Sequence, residues 1–257
     1  MLKTPDRNHR QTLDLAVDEV ARYFEDLEQL PVVPPNDADA IREVLGRFDL
    51  EQGHGVDALV PAMADLFRAH NLQIPHPRYF GLFNPAPSLG GVAADLLVAG
   101  FNPQAGAWHQ SPVAVEIERH LVRWFLARFG LDAEAGFGHF TSGGSEANAT
   151  GILLALTRSF PAFRNGGLRA LTTQPVFYVS REFHHSFEKV AHQCGLGRDA
   201  VRRVPVTRDH VMDTAALERT LRRDRATGLA PFAVVATAGT TNAGLIEPLG
   251  AIADVAT

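Results

Sequence analysis

The sequence predicts an α/β fold built on a mostly parallel sheet and preceded by a helical arm. Three observations lead there. From residue 137 onward, short apolar runs alternate with helical patterns, the signature of parallel strands joined by crossover helices. The first 75 residues carry helical periodicity and little that reads as strand. Loops rich in glycine and hydroxyls fall at the ends of the expected strands, where open α/β sheets bind ligands.

Taken in order, Leu13, Val17, Val20, Phe24 and Leu27 recur at three- and four-residue steps and predict one apolar helical face. Pro31, Pro34 and Pro35 stop that helix, because proline cannot continue it. Further helices are expected from about Asp37 to Phe48 and from Val56 to His70. The stretch 75–111 is punctuated by Pro75, Pro77, Pro85, Pro87 and Pro103 and reads as a long irregular loop, a form that usually has a job. Ser111 as N-cap and Pro112 at the first helical position open a helix whose apolar face is Val113, Ile117, Leu121 and Phe125, with Gly130 suited to its C-terminal end. Phe137–Phe140 is a short extended run and Ser145–Thr157 a helix. Strands then follow at Val176–Val179, Val201–Val206 and Phe232–Ala236. The helices between and after them are Ser186–Gln193, Thr214–Arg225 and Pro248–Ala256. The expected organisation is an arm over residues 1–75 and a large domain over 76–257. Thr257 falls inside the last helical pattern, so the chain reads as truncated before the end of that large domain.

Composition narrows the function. Of 257 residues, 46% are hydrophobic and 21% charged, as in ordinary globular proteins. A net charge of −5 gives no electrostatic reason to expect nucleic acid or an anionic membrane as partner. No run approaches the roughly 20 apolar residues that span a bilayer. The polar N-terminus lacks the apolar core of a secretory signal, and the single cysteine, Cys194, has no internal disulfide partner; a cytoplasmic protein is the simplest reading. Lysine occurs only at Lys3 and Lys189, so chemistry that needs a lysine amine has two candidates.

Three stretches carry chemistry. Phe140-Thr-Ser-Gly-Gly-Ser-Glu-Ala-Asn148 is a strand-to-helix turn. Free N–H groups and the helix dipole make such a turn an anion site, Gly143 and Gly144 permit close approach, and Ser142 or Ser145 can add a hydroxyl. The nucleotide-binding glycine fingerprints and the nucleophile elbow are absent, which favours a phosphate-bearing cofactor other than a nucleotide. Ser180-Arg-Glu-Phe-His-His-Ser186 follows a strand, and a flat imidazole there can stack on an aromatic ring or simply cap a helix. His185, Glu188 and His192 share one helical face and offer metal binding as an alternative, though no recognised ligand spacing is matched. Ala236-Thr-Ala-Gly-Thr-Thr-Asn-Ala-Gly244 is the third polar loop at a strand end. Three such loops would converge on one crevice.

These stretches, with His76-Pro-Arg-Tyr-Phe-Gly81, Phe101-Asn-Pro-Gln104, Trp108, and Ser111-Pro112 followed by Glu116 and Glu118, resemble the group II pyridoxal-phosphate-dependent amino-acid decarboxylases from about His76 to the end. The resemblance implies the aspartate-aminotransferase fold (fold type I), pyridoxal 5′-phosphate as cofactor, and a homodimer with active sites at the subunit interface. It implies that Gly143, Gly144 and Ser145 hold the cofactor phosphate and that His184 stacks on the pyridine ring. Thr241, or else Thr240, would lie near the ring oxygen. Tyr79, Phe80 and Phe83 would belong to the substrate entrance, and the arm would wrap the partner subunit. Glu247 stands where many members have aspartate.

The family's lysine and the aspartate that protonates the pyridine nitrogen both lie downstream of the match to Thr241, so the chain as written is expected to carry half a site and to be inactive alone. Lys189 matches a lysine or arginine on the helix after the stacking histidine, and Lys3 lies in the arm. The expected reaction is loss of the α-carboxylate from an L-amino acid, aromatic in preference to acidic, by a carboxy-lyase without a metal. The rivals are an aminotransferase or carbon–sulfur lyase of the same fold, and a truncated non-catalytic pseudoenzyme.

Overall fold

The computed structural model of the chain describes residues 9–81 and 84–257. It comprises two compact units, one up to Leu96 and one from Leu97 to Thr257.

In the first unit, helix α1 (His9–Asp26) runs into a 3-10 turn over Leu27–Gln29 before the prolines. Helix α2 (Ala38–Leu45) starts where the Asp37 carboxylate accepts the N–H groups of Asp39 and Ala40 at 3.0 and 2.9 Å. Helix α3 (Val56–His70) has the expected limits. Polar contacts join α1 to α3 and the turn after it. The Arg68 guanidinium donates to the buried Glu19 carboxylate, and Tyr23 Oη donates to Gln73 Oε1 at 2.8 Å. The Arg68 hydrogen bond holds the Glu19 carboxyl below the ordinary carboxylate range. The apolar face expected on α1 is instead largely open: Leu13 is 51% and Val17 47% exposed, while Leu27 is buried.

The stretch read as one irregular loop contains a helix, α4 (Leu89–Phe101). Ser88 Oγ caps it by accepting the Gly91 N–H at 3.0 Å. Its sequence, Leu-Gly-Gly-Val-Ala-Ala-Asp-Leu-Leu-Val-Ala-Gly-Phe, is apolar nearly all round, so it has no one-sided stripe to announce a helix.

The second unit carries the sheet. Helix α5 (Pro112–Arg128) begins at Pro112 with Ser111 in the N-cap position, although the Ser111 side chain makes no capping bond. Gly130, just past its end, has φ +69°, the left-handed conformation that glycine adopts without penalty. Helix α6 (Gly144–Ser159), the single turn α7 (Phe163–Gly166), β1 (Pro175–Ser180), α8 (Ser186–Gln193), β2 (Val201–Val204), α9 (Thr214–Ala226), β3 (Ala230–Val234) and α10 (Leu249–Ala256) follow. Among the described residues the sheet has three strands in the order β2-β1-β3, both pairings parallel. Central β1 is buried along its whole length, as a strand covered on both faces must be. Phe137–Phe140, expected as a short extended run, joins no strand of the sheet, and Phe140 is anchored by its N–H to Glu118 Oε1 at 2.8 Å.

The core packs β1 and β2 against α6, α8 and α9 through Leu156, Phe177, Val190, Val204 and Leu217, all at most 1% exposed. One buried polar hub crosses it. Asp224 on α9 receives Tyr178 Oη at 3.1 Å and a bidentate pair from Arg202 at 2.8 and 3.0 Å. Burial works to raise the Asp224 carboxyl, but the hydrogen bonds from Arg202, Arg223 and Tyr178 outweigh it and hold the group below its ordinary value.

Candidate functional site

A cavity of about 450 Å³ opens in the second unit where the segments after β1 and β3 meet the start of α6. Gly144, Ser145, His184 and Thr241 line it, together with Asn148, Phe187 and the run Val235–Gly239. The three stretches singled out in the sequence thus share one crevice at the carboxyl ends of parallel strands, the place open α/β sheets use for ligands.

The first wall is the head of α6. Glu146 Oε2 accepts both the N–H and the hydroxyl of Ser142, at 2.8 and 2.6 Å, and these bonds lower the Glu146 carboxyl. Of the two candidate serines, Ser142 therefore spends its hydroxyl within the turn, and Ser145 is the one on the cavity wall. The N–H groups of Gly143, Gly144 and Ser145 have no partner among the described residues. A Cβ added at Gly143 or Gly144 would meet nothing within 4 Å, and neither residue needs left-handed backbone. The chain's own packing does not require glycine there, and glycine costs helix stability relative to alanine. Two bare glycines beside unpaired N–H groups at the head of a 16-residue helix fit an anionic group that approaches the backbone closely.

The second wall follows β1. His184 Nδ1 lies 2.9 Å from Ser186 Oγ and accepts the Ser186 backbone N–H at 3.2 Å, while Asn148 Nδ2 donates to the same Oγ at 2.9 Å. The ring is tied at Nδ1, and His184 lines the crevice. Asn148 and Ser186 are the residues the motif reading passed over; both end stretches singled out in the sequence, but nothing in linear order pairs residues 38 positions apart.

The third wall is the loop after β3. Gly239, at φ +110°, makes the turn that only glycine adopts freely. Thr240 is buried, and its Oγ1 accepts the Leu245 N–H at 3.2 Å, so its hydroxyl serves the loop; Thr241 lines the cavity. Glu247 closes the loop by donating its N–H to Thr237 O at 3.0 Å and accepting the Thr237 N–H on Oε2 at 2.7 Å.

Tyr79 and Phe80 belong to the first unit, where Tyr79 Oη donates to Asn84 Oδ1 at 3.4 Å and Phe80 is exposed; Phe83 and Lys3 fall outside the described residues. The Glu188 carboxylate is taken by Arg203, and no group of three or more His, Cys, Asp or Glu able to hold a metal occurs among the described residues. No helix among them is long and apolar enough to cross a membrane.

This fold, helices around a parallel sheet with the crevice at its strand ends, is that of fold type I pyridoxal-phosphate enzymes. The crystal structure of mouse CSAD in apo form superposes with a TM-score of 0.86 at 28% identity, over 96% of this chain and 52% of that one. The model of the pyridoxal-dependent decarboxylase conserved domain matches residues 58–257, and the chain belongs to that family. Its relatives include an L-2,4-diaminobutyrate decarboxylase of Rhizobium meliloti, 31% identical over 96% of this chain and 47% of that protein. An aromatic-L-amino-acid decarboxylase of Bacillus atrophaeus is 30% identical over 93% of this chain and 48% of its own length. The chain thus spans about half the length of the curated relatives it matches. The family's cofactor is pyridoxal phosphate.

Proposed function

We propose that this chain carries the phosphate- and ring-binding walls of a pyridoxal-phosphate-dependent decarboxylase acting on an L-amino acid. The observation that carries this reading is the bare Gly143–Gly144 pair, with unpaired N–H groups, at the head of α6. Gly143, Gly144 and Ser145 would hold the phosphate, His184 would offer its ring face to the pyridine, and Thr241 would stand at the ring oxygen. Thr240 would act only by shaping the loop that presents Thr241. When bound, the cofactor supplies an electron sink for the pair left behind as the carboxylate departs as CO2. The residues around it bind, orient and shield.

An aromatic substrate is favoured, on the aromatic character of Tyr79, Phe80 and Phe83 as entrance residues. Homodimerisation fits the open faces of α1 and of α5, where Val113 is 72% and Ile117 57% exposed. A second reading, a chain that binds the cofactor without turnover by itself, is favoured by one observation: among the described residues no lysine lines the crevice, and Lys189 on α8 stands outside its wall.

The test is titration of the 257-residue chain with pyridoxal phosphate, followed by cofactor fluorescence, with inorganic phosphate as competitor. Saturable binding that phosphate displaces and Gly144→Val weakens is expected; binding indifferent to both would overturn the proposal. Release of CO2 from L-tryptophan, L-tyrosine and L-glutamate, scored in the same preparation, separates the two readings and ranks the substrates.

A further inference from the structure

The hydrogen bonds around His184 determine where its proton sits. A backbone N–H can only donate, so the Ser186 N–H, 3.2 Å from His184 Nδ1, makes that nitrogen an acceptor without a proton. Ser186 Oγ, 2.9 Å from the same nitrogen, then forms a bond only if its hydroxyl hydrogen points at Nδ1. A hydroxyl turned that way offers lone pairs to its other neighbour, so the Asn148 atom 2.9 Å away must be the amide nitrogen, donating. Each assignment follows from the one before, and the backbone N–H, whose direction is not open to choice, starts the series. Ser186 is 2% exposed, so water does not compete for these positions.

We propose that Ser186 and Asn148 are positioning residues that hold His184 as the neutral Nε2–H tautomer, with its ring plane set toward the crevice. They act through the histidine and need touch neither cofactor nor substrate. The helix that begins with the phosphate-site glycines thereby also sets the ring on the opposite wall, since Asn148 lies one turn into α6. The part about the ring's partner in the crevice rests on the proposed function; the tautomer does not.

The test uses the full chain labelled with 15N-histidine and observed by long-range 1H–15N correlation at about pH 8, above the ordinary titration range of imidazole. The His184 signals are identified by their loss in His184→Gln. In the wild type, Nε2 should appear as the protonated nitrogen and Nδ1 as the bare one. Asn148→Asp places a group at residue 148 that can only accept. The Ser186 hydroxyl should then turn toward it, and the Nδ1 resonance should move toward the protonated position. Asn148→Ala removes the donor without adding an acceptor, so the Ser186 hydroxyl is no longer held toward Nδ1 while the Ser186 N–H still donates to it, and the Nδ1 resonance should move part of the way that it moves in Asn148→Asp. A wild-type Nδ1–H pattern or an average of both tautomers would overturn the proposal. So would an Asn148→Asp spectrum identical to wild type in a variant whose circular dichroism shows it folded.

A separate titration with pyridoxal phosphate should be about fivefold weaker for Asn148→Asp, the size of one net hydrogen bond. Absence of cofactor binding in the wild type would defeat the functional reading while leaving the tautomer result intact.

Discussion

Glu247 grips Thr237 at both ends of one residue: its N–H donates to the Thr237 carbonyl at 3.0 Å and its carboxylate accepts the Thr237 N–H at 2.7 Å. With Glu247 only 2% exposed, this clasp is shielded from water and closes the loop that carries Thr240 and Thr241. Glu247→Ala leaves the Thr237 N–H without its acceptor and should cost about 1–3 kcal/mol. Thermal melts read the loss, and hydrogen exchange at the Thr237 amide locates it. Unchanged protection there would show that the clasp does not hold the loop.

The glycines at the head of α6 separate stability from binding. Gly144→Ala should change the stability of the chain by no more than about 0.5 kcal/mol, since its Cβ meets nothing within 4 Å. For cofactor binding, Gly144→Val should cost at least about tenfold, the size of a modest steric clash. Ser145→Ala should cost less, because backbone N–H groups remain to bind the phosphate. Paired melts and fluorescence titrations check this. Equal losses from the two substitutions would refute binding by a helix terminus.

The hub at Asp224 predicts an acid-labile core. Its carboxyl titrates lower in the folded chain than in the unfolded one. The associated stability is therefore present above the ordinary aspartate value of about 3.9 and is lost as pH falls through the lower folded value. Asp224→Ala strands Arg202 and the Tyr178 hydroxyl and should cost about 3–5 kcal/mol at neutral pH. It should also flatten the acid limb of the stability curve. Urea melts between pH 7 and pH 3 would show both effects.

Lys189 stands outside the crevice wall. Borohydride reduction of the chain mixed with pyridoxal phosphate should therefore leave no stoichiometric covalent label on Lys189. Peptide mapping reads the result. Full labelling of Lys189, blocked by inorganic phosphate, would mean that this amine reaches the bound cofactor.

Much of the secondary structure could be read in linear order. Helices α3 and α8 begin and end at the residues expected, because each shows one apolar face at helical spacing between clear breakers. Helix α4 could not be read that way: apolar on nearly every side and opened by two glycines, it presents no periodic contrast. Strand β3 starts two residues before the expected Phe232, since its edge is set by pairing with Pro175–Tyr178 of β1, a partner 55 positions away.

For the site, residue types and their order in the chain were sufficient to single out three polar loops at strand ends, and the fold brings residues of all three to one crevice. Which of two similar residues faces the crevice was not in the sequence. Ser142 donates its hydroxyl to Glu146 and buried Thr240 accepts the Leu245 N–H on Oγ1, whereas Ser145 and Thr241 line the cavity. The same holds for the proton of His184, directed by Ser186 and through it by Asn148, from a helix more than 30 residues earlier in the chain. Composition and spacing determine what chemistry a segment can offer. The direction of each hydrogen bond is decided only when folding brings donors and acceptors from distant segments into the same few ångströms.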